Sequence, residues 1–100
     1  MSQSRKAAHQ PGLDRMVEVL KGLAHPTRLG IVRALAMRER TVTELADALE
    51  VRQSAVSQHL APLRLLRLVE VQRREGRSVY ALAEPSLRDL LSCLTRCHVH

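Results

Sequence analysis

Apolar positions recur at helical spacing from Leu13 onward. Leu13, Met16, Val17, Leu20 and the Leu23/Ala24 pair form one stripe, with Asp14, Arg15, Glu18 and Lys21 off it. His25-Pro26 interrupts the pattern: the residue before a proline is pushed out of helical geometry, and proline suits the first position of a new helix. Leu29, Ile31, Val32, Leu35 and Ala36 then predict a second helix over residues 26–37, ending at the charged turn Arg38-Glu39-Arg40. A short third helix follows, with Thr43 as its expected cap and Leu45, Ala46 and Leu49 on its inner face. After a turn over residues 50–53, Ser54 is the expected cap of a fourth helix. Its buried stripe is Val56, Leu60, Leu63 and either Leu66 or Leu68. Pro62 lies inside that helix. An unadapted helix loses about 3 kcal/mol to an internal proline, so either the helix kinks there or its bonded part ends early.

The period then changes from helical to two. Residues 69–74 and 77–82 alternate apolar and polar side chains around Glu75-Gly76, which predicts a β-hairpin with glycine in the turn. Glu84-Pro85-Ser86 opens a last helix with Leu87, Leu90, Leu91 and Leu94 as its stripe, running into Cys97-His98-Val99-His100. Residues 1–12 are polar and read as a flexible N-terminal arm that includes His9; residues 13–100 read as one domain. The expected fold is mainly α with a small β-hairpin, in the order α-α-α-α-β-β-α.

Composition narrows the class of protein. One hundred residues allow one domain, and 45% hydrophobic residues suffice for a packed core. Tyr80 is the sole aromatic residue, which argues against modules that stack bases or sugars on aromatic platforms. No apolar run approaches the roughly 20 residues of a membrane span, and no apolar segment follows the basic N-terminus as a secretory signal requires. Two cysteines make no disulfide framework, so a reducing cytoplasmic setting is expected. Lys and Arg number 16 against 10 acidic residues, giving a formal charge of +6 that suits an anionic partner.

Two short helices joined by a tight turn and followed by a basic hairpin predict a winged helix-turn-helix. The strings that carry this are Leu23-Ala-His-Pro-Thr-Arg-Leu-Gly-Ile-Val, Thr43-Glu-Leu-Ala, Ser54-Ala-Val-Ser-Gln-His-Leu-Ala-Pro-Leu and Arg74-Glu-Gly-Arg-Ser-Val-Tyr. Together they closely resemble the ArsR/SmtB family of bacterial transcriptional repressors, over roughly residues 13 to 91. The resemblance implies a homodimer paired through the first and last helices, bound to double-stranded operator DNA that is an imperfect inverted repeat. It also implies release by an inducer, often a metal or metalloid, with oxidants or sulfur species as the alternative signal. The sequence departs from the family's wording in four places, of which Pro62 is one. Arg67 stands where a glycine is frequent. The thiolate pair that some members carry around Glu44-Leu45-Ala46-Asp47 is absent. The site on the last helix reads Glu84, Ser86, Cys97 and His100, with serine and cysteine in place of two histidines.

Two groups of residues carry the expected chemistry. On the fourth helix, Gln53, Ser54, Ala55, Ser57 and Gln58 lie off the apolar stripe near the N-terminus, the part of a recognition helix that enters the major groove. Gln58 suits adenine edges, the serines suit bases or phosphates, and Ala55 suits a thymine methyl. His59 and Arg64 look like phosphate contacts. On the hairpin, Arg73, Arg74 and Arg77 around Gly76 suit phosphate or the minor groove. A solvated helix face and a charged edge that blocks strand addition are the plainer alternatives. His25 reads as a cap or packing residue at the helix junction.

The last helix carries the effector candidates. At about 100° per residue, Ser86, Cys93, Cys97 and His100 share one edge beside the leucine stripe, while His98 points into that stripe. Thiolate and imidazole donors favour zinc, copper(I), cadmium, cobalt or arsenite, with Glu84 a further donor and His9 of the arm widening the choice to nickel. The same cysteines also fit a thiol-based redox or sulfur-species sensor. Buried packing at a dimer seam is the plain alternative. A nucleophile–base pair is disfavoured because oxyanion donors and a Gly-rich loop are missing, so an enzyme is not expected.

Overall fold

The computed structural model describes residues 11–83. The N-terminal residues with His9, and the predicted last helix with Glu84, Cys93, Cys97, His98 and His100, lie outside the described residues.

Four helices precede an antiparallel hairpin. They are α1 (Pro11–Leu23), α2 (Pro26–Met37), α3 (Val42–Leu49) and α4 (Gln53–Leu65), followed by β1 (Val69–Arg74) and β2 (Arg77–Leu82). The α1 helix begins at Pro11, so Pro11-Gly12 belongs to it rather than to the arm. The α2 bounds match the expected 26–37. Its N-cap is His25, in extended backbone, whose Nδ1 accepts the Thr27 N–H at 3.2 Å. Pro26 follows at the first helical position, where its missing N–H costs nothing.

The α3 cap differs from expectation. Thr41, not Thr43, caps the helix: its Oγ1 accepts the Glu44 N–H at 3.2 Å, and the Glu44 carboxylate accepts the Thr41 N–H at 2.9 Å. This reciprocal pair needs an acid three residues after the cap, which Thr41 has and Thr43 lacks. Ser54 likewise gives way as the α4 cap. Arg52 holds that position without a side-chain capping bond, and Gln53 opens the helix.

Both α3 and α4 end in left-handed residues that are not glycine. Glu50 (φ 58°) closes α3, its N–H reaching Asp47 O and the Val51 N–H reaching Ala46 O. Arg67 (φ 62°) follows α4, donating to Arg64 O at 2.9 Å, while the Leu68 N–H reaches Leu63 O, also at 2.9 Å. This is a Schellman closure, and it carries the apolar partnership typical of one: Leu63 and Leu68 are both fully buried. The helix therefore ends three residues beyond Pro62, and Leu68 fills the inner position from outside it.

The core is aliphatic and sits among α2, α3, α4 and the root of β1. Ile31, Val32 and Leu35 meet Leu45 and Ala46, then Val56, Leu60 and Leu63, with Leu23, Leu68 and Val69 closing the ends. Gly22 lets α1 approach the end of α4, since a side chain there would collide with Leu66. The α1 stripe itself faces outward: Leu13, Met16, Val17 and Leu20 are 43–57% exposed. Among the described side chains of α1, Leu23 and Val19 reach the core.

The hairpin register pairs Val69 with Leu82 and Arg74 with Arg77. Glu75 (φ 52°) and Gly76 (φ 78°) form the two-residue turn, and positive φ at both central positions suits the twist of the strands. A further bridge joins Arg40 to Tyr80, with N···O distances of 3.0 and 2.8 Å. Arg40 Nε also donates to Ala34 O at 3.1 Å, so the α2–α3 connection is tied to α2 on one side and to β2 on the other.

Candidate nucleic-acid interface

The outward face of α4 follows from its inward one. Val56, Leu60 and Leu63 anchor the helix in the core, which turns Gln53, Ser54, Ser57 and Gln58 into solvent together. Ala55 is half-buried beside them, and Arg64 lies exposed at the C-terminal end. Glu50, Val51 and Arg52 form the turn between α3 and α4. The structure thus groups five of the predicted helix residues at one helix end.

His59, expected as a phosphate contact, has partners within the protein. It is half-buried, its ring centroid lies 4.2 Å from that of His25 at a 38° tilt, and its Nδ1 accepts from Arg28 Nε at 3.2 Å. Arg28 Nη1 also reaches Gly22 O at 3.4 Å. Burial, with His25 and Arg28 alongside, holds His59 below its ordinary imidazole value. Sequence patterning missed this cluster because its members come from α2 and α4 and share no local period.

Arg73, Arg74, Glu75, Gly76 and Arg77 are all exposed at the hairpin tip. Arg74 and Arg77 face each other across the strands, an arrangement that costs stability between like charges. Carboxylates on the body offset it. Arg74 Nη1 pairs with Glu39, and its Nη2 donates to Gln72 Oε1 at 2.9 Å. Glu44 feels Arg77 across the gap. Its carboxyl lies below the usual range, first through the Thr41 backbone hydrogen bond and then through Arg38 and Arg77. Arg73 Nη1 contacts Ser78 Oγ at 3.4 Å. Between hairpin and body lies a cleft of about 390 Å³, lined by Arg38, Glu39, Thr41 and Glu44 on one side and Arg74, Glu75, Arg77 and Val79 on the other. Tyr80 is half-buried against the core, as expected of a strand residue rather than a base stacker.

Among the described residues, no group of three or more His, Cys, Asp or Glu side chains is placed to hold a metal ion, and no helix is long and apolar enough to cross a membrane.

A three-helix core with a tight α3–α4 turn and a basic hairpin defines a winged helix-turn-helix. The family model described as bacterial regulatory protein, arsR family, matches residues 25–71. The transcriptional activator HlyU of Vibrio cholerae is 36% identical over 84 residues, which cover 84% of this chain and 78% of HlyU. The solved HlyU structure superposes with a TM-score of 0.83 at 33% identity, covering 90% of this chain and 98% of that one. A homodimeric winged helix-turn-helix DNA-binding domain from Mycobacterium bovis superposes at 0.75, with 32% identity and 96% and 94% coverage. A transcriptional repressor SmtB homologue of Synechocystis is 46% identical over 77 residues, 76% of this chain and 58% of the relative. The chain belongs to the ArsR family, whose members are DNA-binding transcriptional regulators rather than enzymes.

Proposed function

We propose that the chain acts in the cytoplasm as a homodimeric repressor that binds an imperfect inverted repeat in double-stranded DNA and leaves it on binding a metal or metalloid ion. The observation that carries the DNA reading is the exposed polar end of α4 beside a hairpin bearing three arginines. Gln53, Ser54, Ala55, Ser57 and Gln58 read base edges, while Arg64, Arg73, Arg74 and Arg77 contact backbone. A hairpin that keeps Arg74 opposite Arg77 accepts a local penalty that phosphate would relieve. The dimer reading rests on the outward apolar face of α1, where four large side chains await a partner, and on the homodimeric relative from Mycobacterium bovis.

The effector reading rests on donor chemistry. Cys93, Cys97 and His100, with His98 and Glu84, offer thiolate, imidazole and carboxylate ligands that suit zinc, nickel, copper(I), cadmium or arsenite. A bound ion would bias the dimer's geometry and hence the spacing of its two recognition helices. A coupling of about 1–3 kcal/mol shifts DNA affinity several-fold to a hundred-fold. The thiol-based alternative is favoured by one observation: HlyU, a structural relative, has been solved in its reduced form.

The test is a titration of the reduced protein onto a duplex from its own upstream region, first with chelator and then with each ion singly. Release by one ion, abolished by Cys97→Ser or His100→Ala, supports the metal reading. Release by mild oxidant alone supports the thiol reading. Failure to bind any duplex at moderate salt refutes the DNA reading itself.

A further inference from the structure

We infer that Arg28, His25 and His59 form an acid-sensitive latch between the α1–α2 junction and the recognition helix, holding α4 in its DNA-competent seat only while His59 is neutral. The inference rests on the DNA reading above and adds a proton-linked control to it.

The geometry fixes which ring nitrogens are free. His25 Nδ1 accepts from the Thr27 N–H and His59 Nδ1 accepts from Arg28 Nε, so both rings hold an unprotonated Nδ1 in this arrangement. A neutral imidazole has one acceptor nitrogen; an imidazolium has none. A proton on His59 Nδ1 therefore sets N–H against N–H across a 3.2 Å contact. It also adds a cation beside a guanidinium that cannot deprotonate. Among the described residues, the charged and titratable groups that act on His59 are His25 at the α1–α2 junction and Arg28 of α2, with no carboxylate among them. His59 is half-buried, and burial first, then His25 and Arg28, displace its titration downward.

The latch lies where a small movement matters. Arg28 reaches both Gly22 O at the end of α1 and His59 in the middle of α4. His59 stands between Gln58 on the exposed face and Leu60 in the core. Expelling its ring from the His25–Arg28 site rotates or lifts the turn that presents Ser57 and Gln58. Acid thus weakens DNA binding from inside the protein. A histidine that touched phosphate directly would do the opposite, because its protonation would strengthen an ionic contact.

The test compares duplex affinity from about pH 7.5 to about pH 5.5 at fixed ionic strength, for the full chain and for His59→Asn. Asparagine retains an acceptor near the Nδ1 position and takes up no proton. One excluded proton limits the change to about tenfold per pH unit per protomer. The expected result is a fall of about tenfold over the range for the wild type, and a clearly flatter profile for His59→Asn. A rise in affinity on acidification, or an equal fall in the variant, overturns the latch. An NMR titration of the His59 ring stands independently of DNA binding and of how well His59→Asn folds. Its midpoint should lie below the ordinary 6.5 and move upward in His25→Asn, which keeps a cap for α2. A wild-type midpoint at or above 6.5 also overturns it. Loss of duplex binding already at pH 7.5 in the wild type would instead refute the DNA reading, with the ring titration still deciding the latch.

Discussion

Replacing Arg67 by glycine should make the protein more stable, although it removes a side chain. Arg67 occupies the left-handed region at φ 62° as the residue that closes α4. A residue with a Cβ there forgoes roughly 1–2 kcal/mol relative to right-handed geometry. Glycine escapes that strain but gives back roughly 0.5–1 kcal/mol through the greater freedom of its unfolded chain. The two hydrogen bonds of the closure, Arg67 N–H to Arg64 O and Leu68 N–H to Leu63 O, are backbone bonds and survive the substitution. The Arg67 side chain is exposed, so little packing is lost. The difference is a gain of about 0.5–1 kcal/mol. For a domain of this size, 1 kcal/mol corresponds to roughly 4–8 °C in Tm, so a rise of about 2–8 °C is expected. The assay is thermal unfolding followed by circular dichroism at one fixed protomer concentration, because dimerisation makes Tm concentration-dependent. Arg67→Ala is the control: it deletes the same charge but keeps the Cβ, and should not stabilise. A Tm for Arg67→Gly at or below wild type, or an equal rise in Arg67→Ala, would refute the reasoning.

Four further outcomes follow from the packing, the α3 cap and the hairpin. Leu45→Ala opens a cavity at a fully buried position and should cost about 2–5 kcal/mol, read as a lower urea midpoint with the slope unchanged. Thr41→Ala removes one half of the capping box and should cost about 0.5–2 kcal/mol in the same unfolding assay. Glu44 titrates below its ordinary 4.5, so its contribution is present above that value and fades as pH falls through the lowered one; acid unfolding of Glu44→Gln should lack that component. Arg77→Ala should lower the slope of log affinity against log salt by about 0.9 if Arg77 neutralises one phosphate, and an unchanged slope would remove it from the interface.

The parts of the fold written locally were legible in the sequence. Pro26 marked the start of α2, and Glu75-Gly76 marked the hairpin turn, so residues 26–37, 69–74 and 77–82 fell where the punctuation put them. Caps were harder, because several hydroxyls compete within a few residues. Thr41 prevails over Thr43 only when the partner acid three positions on is weighed as well. The buried stripe of α4 was readable, yet the choice between Leu66 and Leu68 was not. That choice depends on a backbone reversal at Arg67, which leaves no mark in the hydrophobic period. The resemblance did flag Arg67 as the replacement of a frequent glycine, and its positive φ gives that preference a physical cause. At the candidate interface, the polar end of α4 and the arginines of the hairpin were visible as composition. The contacts of His59 with His25 and Arg28, and of Arg74 with Glu39, join residues some 30 positions apart, and no periodicity reports them.

The Arg40–Tyr80 bridge sets how the wing behaves as a limb. It adds a third strip of backbone beside β2 at mid-length, so the inner half of the hairpin is splinted to the body. The outer half, from Arg73 to Ser78, projects past the splint as a short cantilever. The bearing of the wing relative to α4 is thus decided when the chain folds, before any duplex arrives. Docking as proposed would then immobilise, within the wing, only arginine side chains and a two-residue tip, at a correspondingly small loss of entropy. The same stiffness fixes the span between the hairpin and α4, so under the proposed DNA reading the protein would gauge the distance between adjacent grooves much as a caliper with a locked jaw would.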